Sequence, residues 1–151
     1  MKPIKEMATM IKFRAWDNLL NKMLVVYRIS FDGPADGVQV HCYLDDRGTE
    51  GSTEYAYDGD GLILEQFTGL KDVNGKEIYE GDIVSVFNED GNYYNDVIEW
   101  GIEYNYPAFD LKYHSHLYES NALSEIMNAG VESIKVIGNV HTDSELLEAD
   151  K

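Results

Sequence analysis

Apolar and polar positions alternate with a period of two at the start of the chain. Ile11, Phe13 and Ala15 interleave with Lys12 and Arg14, Asp17-Asn18 and Asn21 bring turn chemistry, and an apolar run resumes from Met23 to Ile29. That arrangement predicts a β-hairpin. "SFDGPADG" is a loop by its Gly, Pro and Asp content, and a strand over Val38 to Leu44 follows. From Asp45 to Gly61 the pattern lapses: six acids (Asp45, Asp46, Glu50, Glu54, Asp58, Asp60), one base and four glycines predict an acidic loop around a short Tyr55–Tyr57 strand.

The next stretch, "FTGLKDVNGKEIYEGDIVSV", is the most patterned in the chain. Leu62, Ile63, Leu64 and Phe67 predict an apolar strand ending at Gly69. Asn74-Gly75 predicts a type I′ hairpin turn, in which both central residues take positive φ. A second turn through Gly81 releases "IVSVF", with Ile83 set apart from Val84 and Val86. "NEDGN" is a further hairpin turn, "DVIEWGI" a strand, and Pro107 to Leu117 another, with Phe109, Leu111 and Tyr113 on one face. "ESNALSEIMNAG" is the one good helix: Ser120 or Asn121 caps it, Leu123, Ile126 and Met127 share a face, and Gly130 ends it. "ESIKVIGNV" is the final strand, and "TDSELLEADK" a polar tail opening with one helical turn.

The fold class expected from these elements is mainly β. A curled sheet or small barrel runs from about Leu62 to Val140, beside an N-terminal hairpin, with one short C-terminal helix. Residues 1–9 form an aperiodic, dispensable extension (Met7 and Met10 are alternative starts), 10–61 a hairpin region with the acidic loop, 62–147 the barrel-like region, and 148–151 a tail.

Three segments, "IKFRAWDNLLNKML", "QFTGLKDVNGKEIYEGDIV" and "VIGNVHTDSELL", occur in an order that resembles the landmarks of the YopX family. They span Ile11 to Leu147 and leave only the 30–60 region unmatched. The resemblance implies a β-rich, self-associating protein encoded by a phage or prophage and acting in the bacterial cytoplasm. It carries over no catalytic residue.

Charge changes the picture most. The chain has 28 acids against 12 bases, a net of −16, yet residues 1–28 carry +4 (Lys2, Lys5, Lys12, Arg14, Lys22 and Arg28 against Glu6 and Asp17) and the remainder −20. A surface this negative repels phosphate backbones, which excludes direct nucleic-acid binding by the bulk of the protein. No apolar run reaches the ~20 residues of a membrane helix, so no membrane partner is expected. The lone Cys42 reads as a small buried hydrophobe in a reducing compartment.

Candidate chemistry is sparse. In "YDGDG", Asp58, Asp60 and Gly61 match calcium-loop positions three, five and six, but Ala56 and Phe67 stand at positions one and twelve. His114 and His116 would share one face of a strand and meet one metal, given a third ligand from His41, Cys42, Glu119 or His141. No phosphate loop or nucleophile elbow is present, and Glu80 and Asp82 flank a turn. The chain is therefore expected to be no enzyme, with no catalytic, cofactor-binding or metal residue and no cofactor.

The expected function is a self-associating protein-interaction module that binds a host or phage protein. The alternatives are an acidic nucleic-acid mimic and, third, a metal-dependent enzyme using the His114/His116 face. Sheet edges and uneven charge predict a symmetric homo-oligomer with Lys12 to Arg28 at or near the subunit contact.

Overall fold

Turn-forming side chains and glycines at positive φ organise a succession of antiparallel strands. The computed structural model describes residues 3, 4, 6, 10–31, 39–43, 61–148 and, by backbone alone, 54–57. Residues 45–53 and 58–60 of the predicted acidic loop (with Asp58 and Asp60 of the calcium-like segment), residues 32–37 of the "SFDGPADG" loop, and most of the 1–9 extension lie outside these residues. The chain divides into two units, residues 1–67 and 68–151.

In the first unit, β1 (Phe13–Asp17) and β2 (Lys22–Ser30) form the expected hairpin. The Asp17 carboxylate ties its turn by accepting from the amides of Leu19 (2.8 Å) and Leu20 (3.1 Å), and Asn21 takes the left-handed φ of +51°. With β3 (Gln39–Tyr43), β4 (Glu54–Tyr57) and the start of β5 (Leu62–Lys71), the order is β4-β3-β2-β1-β5. Ala15 opposite Leu24, and Val26 opposite Cys42, put one apolar face in register, and Val40 joins it. Cys42 is fully buried there, as its reading as a small hydrophobe expects. Burial first, then the Asp17 carboxylate, pushes its thiol up to about 11.

The strand β5 does not stop at Gly69. It continues to Lys71 with Gly69 inside it at φ +87°. The Thr68 hydroxyl explains the continuity: it donates to the Ile78 carbonyl (2.7 Å) and accepts from the Leu70 amide (3.1 Å), bridging the irregularity. The following hairpin to β6 (Glu77–Tyr79) is not type I′, because Gly75 alone takes positive φ, at +80°. Gly75 N–H donates to the Asp72 carbonyl (2.9 Å) and Asp72 N–H to the Lys76 carbonyl (2.8 Å). This is a three-residue loop closed by a glycine bulge. Gly75 has open space around it, so substitution strains only its backbone. Gly75→Val is expected to lower stability by roughly 1–2 kcal/mol, measured by urea unfolding; an unchanged midpoint would count against the positive-φ assignment.

The same turn recurs after β7 (Asp82–Asn88), where Gly91 has φ +84° and leads into β8 (Tyr93–Trp100). Asn88 Oδ1 accepts from Asp90 N–H and Asn92 N–H, as Asp72 Oδ1 accepts from Asn74 N–H and Lys76 N–H. With β9 (Phe109–Leu111) and β10 (Glu132–Asn139) these strands order β10-β7-β8-β9. The sheet is open, so no barrel closes among the described residues; a curled sheet is the outcome.

Helix α1 (Ala122–Ala129) begins at Asn121, whose side chain accepts from Ser124 N–H, and ends at Gly130 with φ +71°. Its Leu123 and Ile126 pack with Ile78, Val84, Ile98 and Ile134 in the second unit's core, while Ile83 pairs with Val97 on the opposite face. The tail makes the expected helical turn, Glu145–Glu148.

Candidate functional site: a tyrosine-lined cleft

The strand predicted over Pro107 to Leu117 is only three residues long, and what replaces the rest makes the most distinctive surface of the second unit. After β8 the chain enters a 3-10 turn, Gly101–Tyr104, and leaves it through Asn105 at φ +60°. Tyr106 N–H donates to the Gly101 carbonyl and Gly101 N–H to the Ala108 carbonyl, both at 3.0 Å, so the loop closes on itself. Gly101 is required by proximity: a Cβ there would lie 2.6 Å from the Tyr106 carbonyl oxygen. The chain then pairs back on β8 (Ile98 with Leu111, Glu99 with Asp110, Trp100 with Phe109).

At Lys112 the chain turns away again, held by a buried carboxylate. Asp96, with no exposed surface, accepts from the amides of Val97 (2.6 Å), Tyr113 (3.0 Å) and His114 (2.8 Å). Its Oδ2 also lies 2.8 Å from His114 Nδ1, which must carry the proton to meet an ionised carboxylate. These bonds bend residues 112–114 out of the strand, and Ser115–Leu117 become a 3-10 turn. His114 and His116 therefore do not share a strand face as predicted. Their rings lie 6.5 Å apart, and His114 also stacks on Tyr94 at 4.2 Å. Among the described residues no group of three or more His, Cys, Asp or Glu could hold a metal. His41 and Cys42 belong to the first unit, and His141 N–H donates to Asn139 Oδ1 in the turn after β10.

Beside His114, Tyr94 bonds to Tyr118, which donates to Glu132 Oε1 (2.9 Å). Burial is the first cause that pushes the Tyr94 phenol up to about 12; the Tyr118 bond opposes it, and the charges of Glu132, Asp96 and Asp110 add to it. Burial and its bonds to Tyr94 and Glu132 raise Tyr118 as well. Both phenols are thus protonated at neutral pH. They brace β8 against β10 rather than supply a base.

The surface so built is a cleft of about 420 Å³ whose wall carries Tyr104, Tyr106 and Tyr113 with Glu99 and Lys112. Tyr104 is 67% exposed and Tyr113 54%. A second hollow, of about 460 Å³, shares Tyr106, Asp110 and Ser115 and extends to His116 and Glu119. The Lys112 ammonium lies 5.3 Å from the centre of the Tyr113 ring. Sequence reading missed the cleft by assigning Glu99, Lys112 and Tyr113 to strands and leaving Tyr104 and Tyr106 unassigned between them. The signal available was the aromatic density of "WGIEYNYPAFDLKY", interrupted by Gly101, Asn105 and Pro107.

The sequence profile described as YopX protein matches residues 12–148. Among solved structures, protein EF1440 from Enterococcus faecalis is similar, with 26% identity, a TM-score of 0.59, and coverage of 91% of this chain and 97% of that one. Protein yopX from Bacillus subtilis shares the fold at 19% identity and a TM-score of 0.54, over 89% and 96% of the two chains. No curated protein matches the sequence. With a profile match from β1 to the terminal helical turn, the chain belongs to the YopX family.

Proposed function

We propose that this chain is a non-catalytic, self-associating protein-interaction module of phage or prophage origin, acting on a host or phage protein in the bacterial cytoplasm. The observation that carries this reading is the cleft, where exposed tyrosines stand on a backbone held by Gly101 and Asp96. Large, rigid aromatic side chains that lose little entropy on contact are the usual anchors of a protein interface. No helix among the described residues is long and apolar enough to cross a membrane. The burial of Cys42 and the raised phenols of Tyr94 and Tyr118 favour a binding role over nucleophilic or base chemistry.

The acidic-mimic alternative loses support from the placement of six carboxylates. Asp17, Glu65, Asp72, Asp82, Asp96 and Asp110 are buried. Asp110 Oδ1 accepts from Leu111 N–H and Ala122 N–H, Asp82 Oδ2 from Tyr79 N–H, and Glu65 pairs with Arg14 Nε at 2.9 Å. These charges hold the fold rather than face a partner.

In the four-stranded sheet, self-association through the edge strands β10 and β9 meets groups already in place. The outer edge of β10 meets Val73 N–H and the Asp72 carboxylate, and Phe109 of β9 gives its carbonyl to the Asn121 amide (2.8 Å). Both β1 and β2 have a neighbour on each side, so a contact through Lys12 to Arg28 would use their faces or the turn bearing Leu19, which is 80% exposed.

Affinity capture from infected cells, with wild type and Gly101→Ala as baits, tests the reading. The variant should lose the captured partner while its circular dichroism stays β-rich. Identical capture by both baits would remove the cleft from the interface. Light scattering across a salt series should show an oligomer that weakens with salt, and a monomer throughout would end the self-association proposal.

A further inference from the structure

Three tyrosines and the Glu99 carboxylate in one cleft define the chemistry of what fits there, given that the cleft is the interaction surface proposed above. Tyrosine ring faces attract cations, and planar guanidinium stacks on them where a compact ammonium does not. The cleft already holds one cation on a ring face, the Lys112 ammonium over Tyr113, a point charge without the planar stacking a guanidinium would add. Glu99 lines the same wall, and Glu119 lies in the adjoining hollow. We propose that the cleft receives an arginine side chain from a basic segment of a partner protein, stacked on Tyr104 or Tyr113 and paired with Glu99.

Charge complementarity favours this occupant over an apolar one. The whole chain carries −16, which draws basic partners at long range. Locally, burial first, and then the charges of Asp96, Glu103 and Asp110, raise the Glu99 carboxyl in spite of Lys112 beside it. A second cation would relieve that field, which a single lysine leaves unbalanced. An apolar side chain would bury Glu99 further without pairing it, at a cost in desolvation.

The test uses the peptide acetyl-Gly-Arg-Gly-Arg-Gly-amide and its counterpart with citrulline, which keeps the planar shape and removes the charge. Binding is followed by backbone amide shifts of the 15N-labelled full chain. The arginine peptide should produce saturable shifts at Gly101, Tyr104, Lys112 and Tyr113. Citrulline should bind at least ~10-fold more weakly, since stacking without charge loses both the cation–π and the ion-pair contributions. Glu99→Gln and Tyr104→Ala should each weaken the arginine peptide several-fold; both side chains stand at the surface of the cleft, so the fold is retained. Equal binding of the two peptides at the cleft would overturn the cation proposal while leaving the interaction surface standing. Shifts scattered over the acidic surface and unaffected by Tyr104→Ala would overturn it too, as diffuse attraction. Loss of the interaction reading itself shows separately, in unchanged partner capture by Gly101→Ala.

Discussion

Asp96→Ala is expected to destabilise the protein by at least ~3 kcal/mol, since each of three buried or half-buried backbone donors left without an acceptor costs about 1–3 kcal/mol. Three backbone amides, those of Val97, Tyr113 and His114, depend on this one carboxylate, as does the His114 ring. Domains of this size commonly hold only about 5–15 kcal/mol in total, so the loss is a large share of the fold. Asp96→Asn should fall between wild type and alanine. Its carbonyl oxygen can keep Val97 and Tyr113, but its amide would then face the His114 N–H, donor against donor. His114→Ala removes only the ring's bond and stacking, and should cost least. Urea unfolding of the three variants gives the ranking, and an Asp96→Ala midpoint near that of His114→Ala would show that the backbone bonds contribute little.

Asp72→Asn is the second large effect, and its sign with pH follows from the geometry. Oδ1 of Asp72 accepts from Asn74 N–H (2.9 Å) and Lys76 N–H (2.8 Å), while Oδ2 accepts from the buried Val136 N–H (2.9 Å). Asn88 does the first task in its own turn with a single oxygen, so asparagine suffices there. At position 72 the second oxygen is needed, and an amide would confront Val136 N–H. A cost of roughly 1–3 kcal/mol is expected at neutral pH. Burial alone would raise the Asp72 carboxyl, but the bonds from Val136, Lys76 and Asn74 and the charge of Lys76 outweigh it and hold it below its ordinary value of 3.8. A lowered folded-state value contributes stability above the unfolded value, and that contribution fades as pH falls through the folded one. The difference between wild type and Asp72→Asn should therefore be full at pH 7 and shrink below pH 3.8. A difference that stays constant down to ~pH 2 would contradict the role of the charge.

Local pattern carried much of the strand and helix reading because its signals need no distant partner. Alternation at Ile11–Ala15, the asparagine cap and glycine stop of α1, and the turn glycines 75, 81 and 91 are each written within a few residues. The sequence also carried the family, since its landmark segments match along most of the chain. Tertiary structure decided the rest wherever one side chain governs backbone far away. Thr68 reaches Ile78 and lets β5 run through Gly69. Asp72 reaches Val136, 64 residues on, and selects aspartate at a turn that asparagine could otherwise make. Asp96 reaches residues 113 and 114 and breaks a strand that hydrophobic alternation alone would continue. That break moves His114 and His116 off a common face and opens the cleft, because buried backbone amides must be satisfied and the nearest buried carboxylate sets where the chain bends.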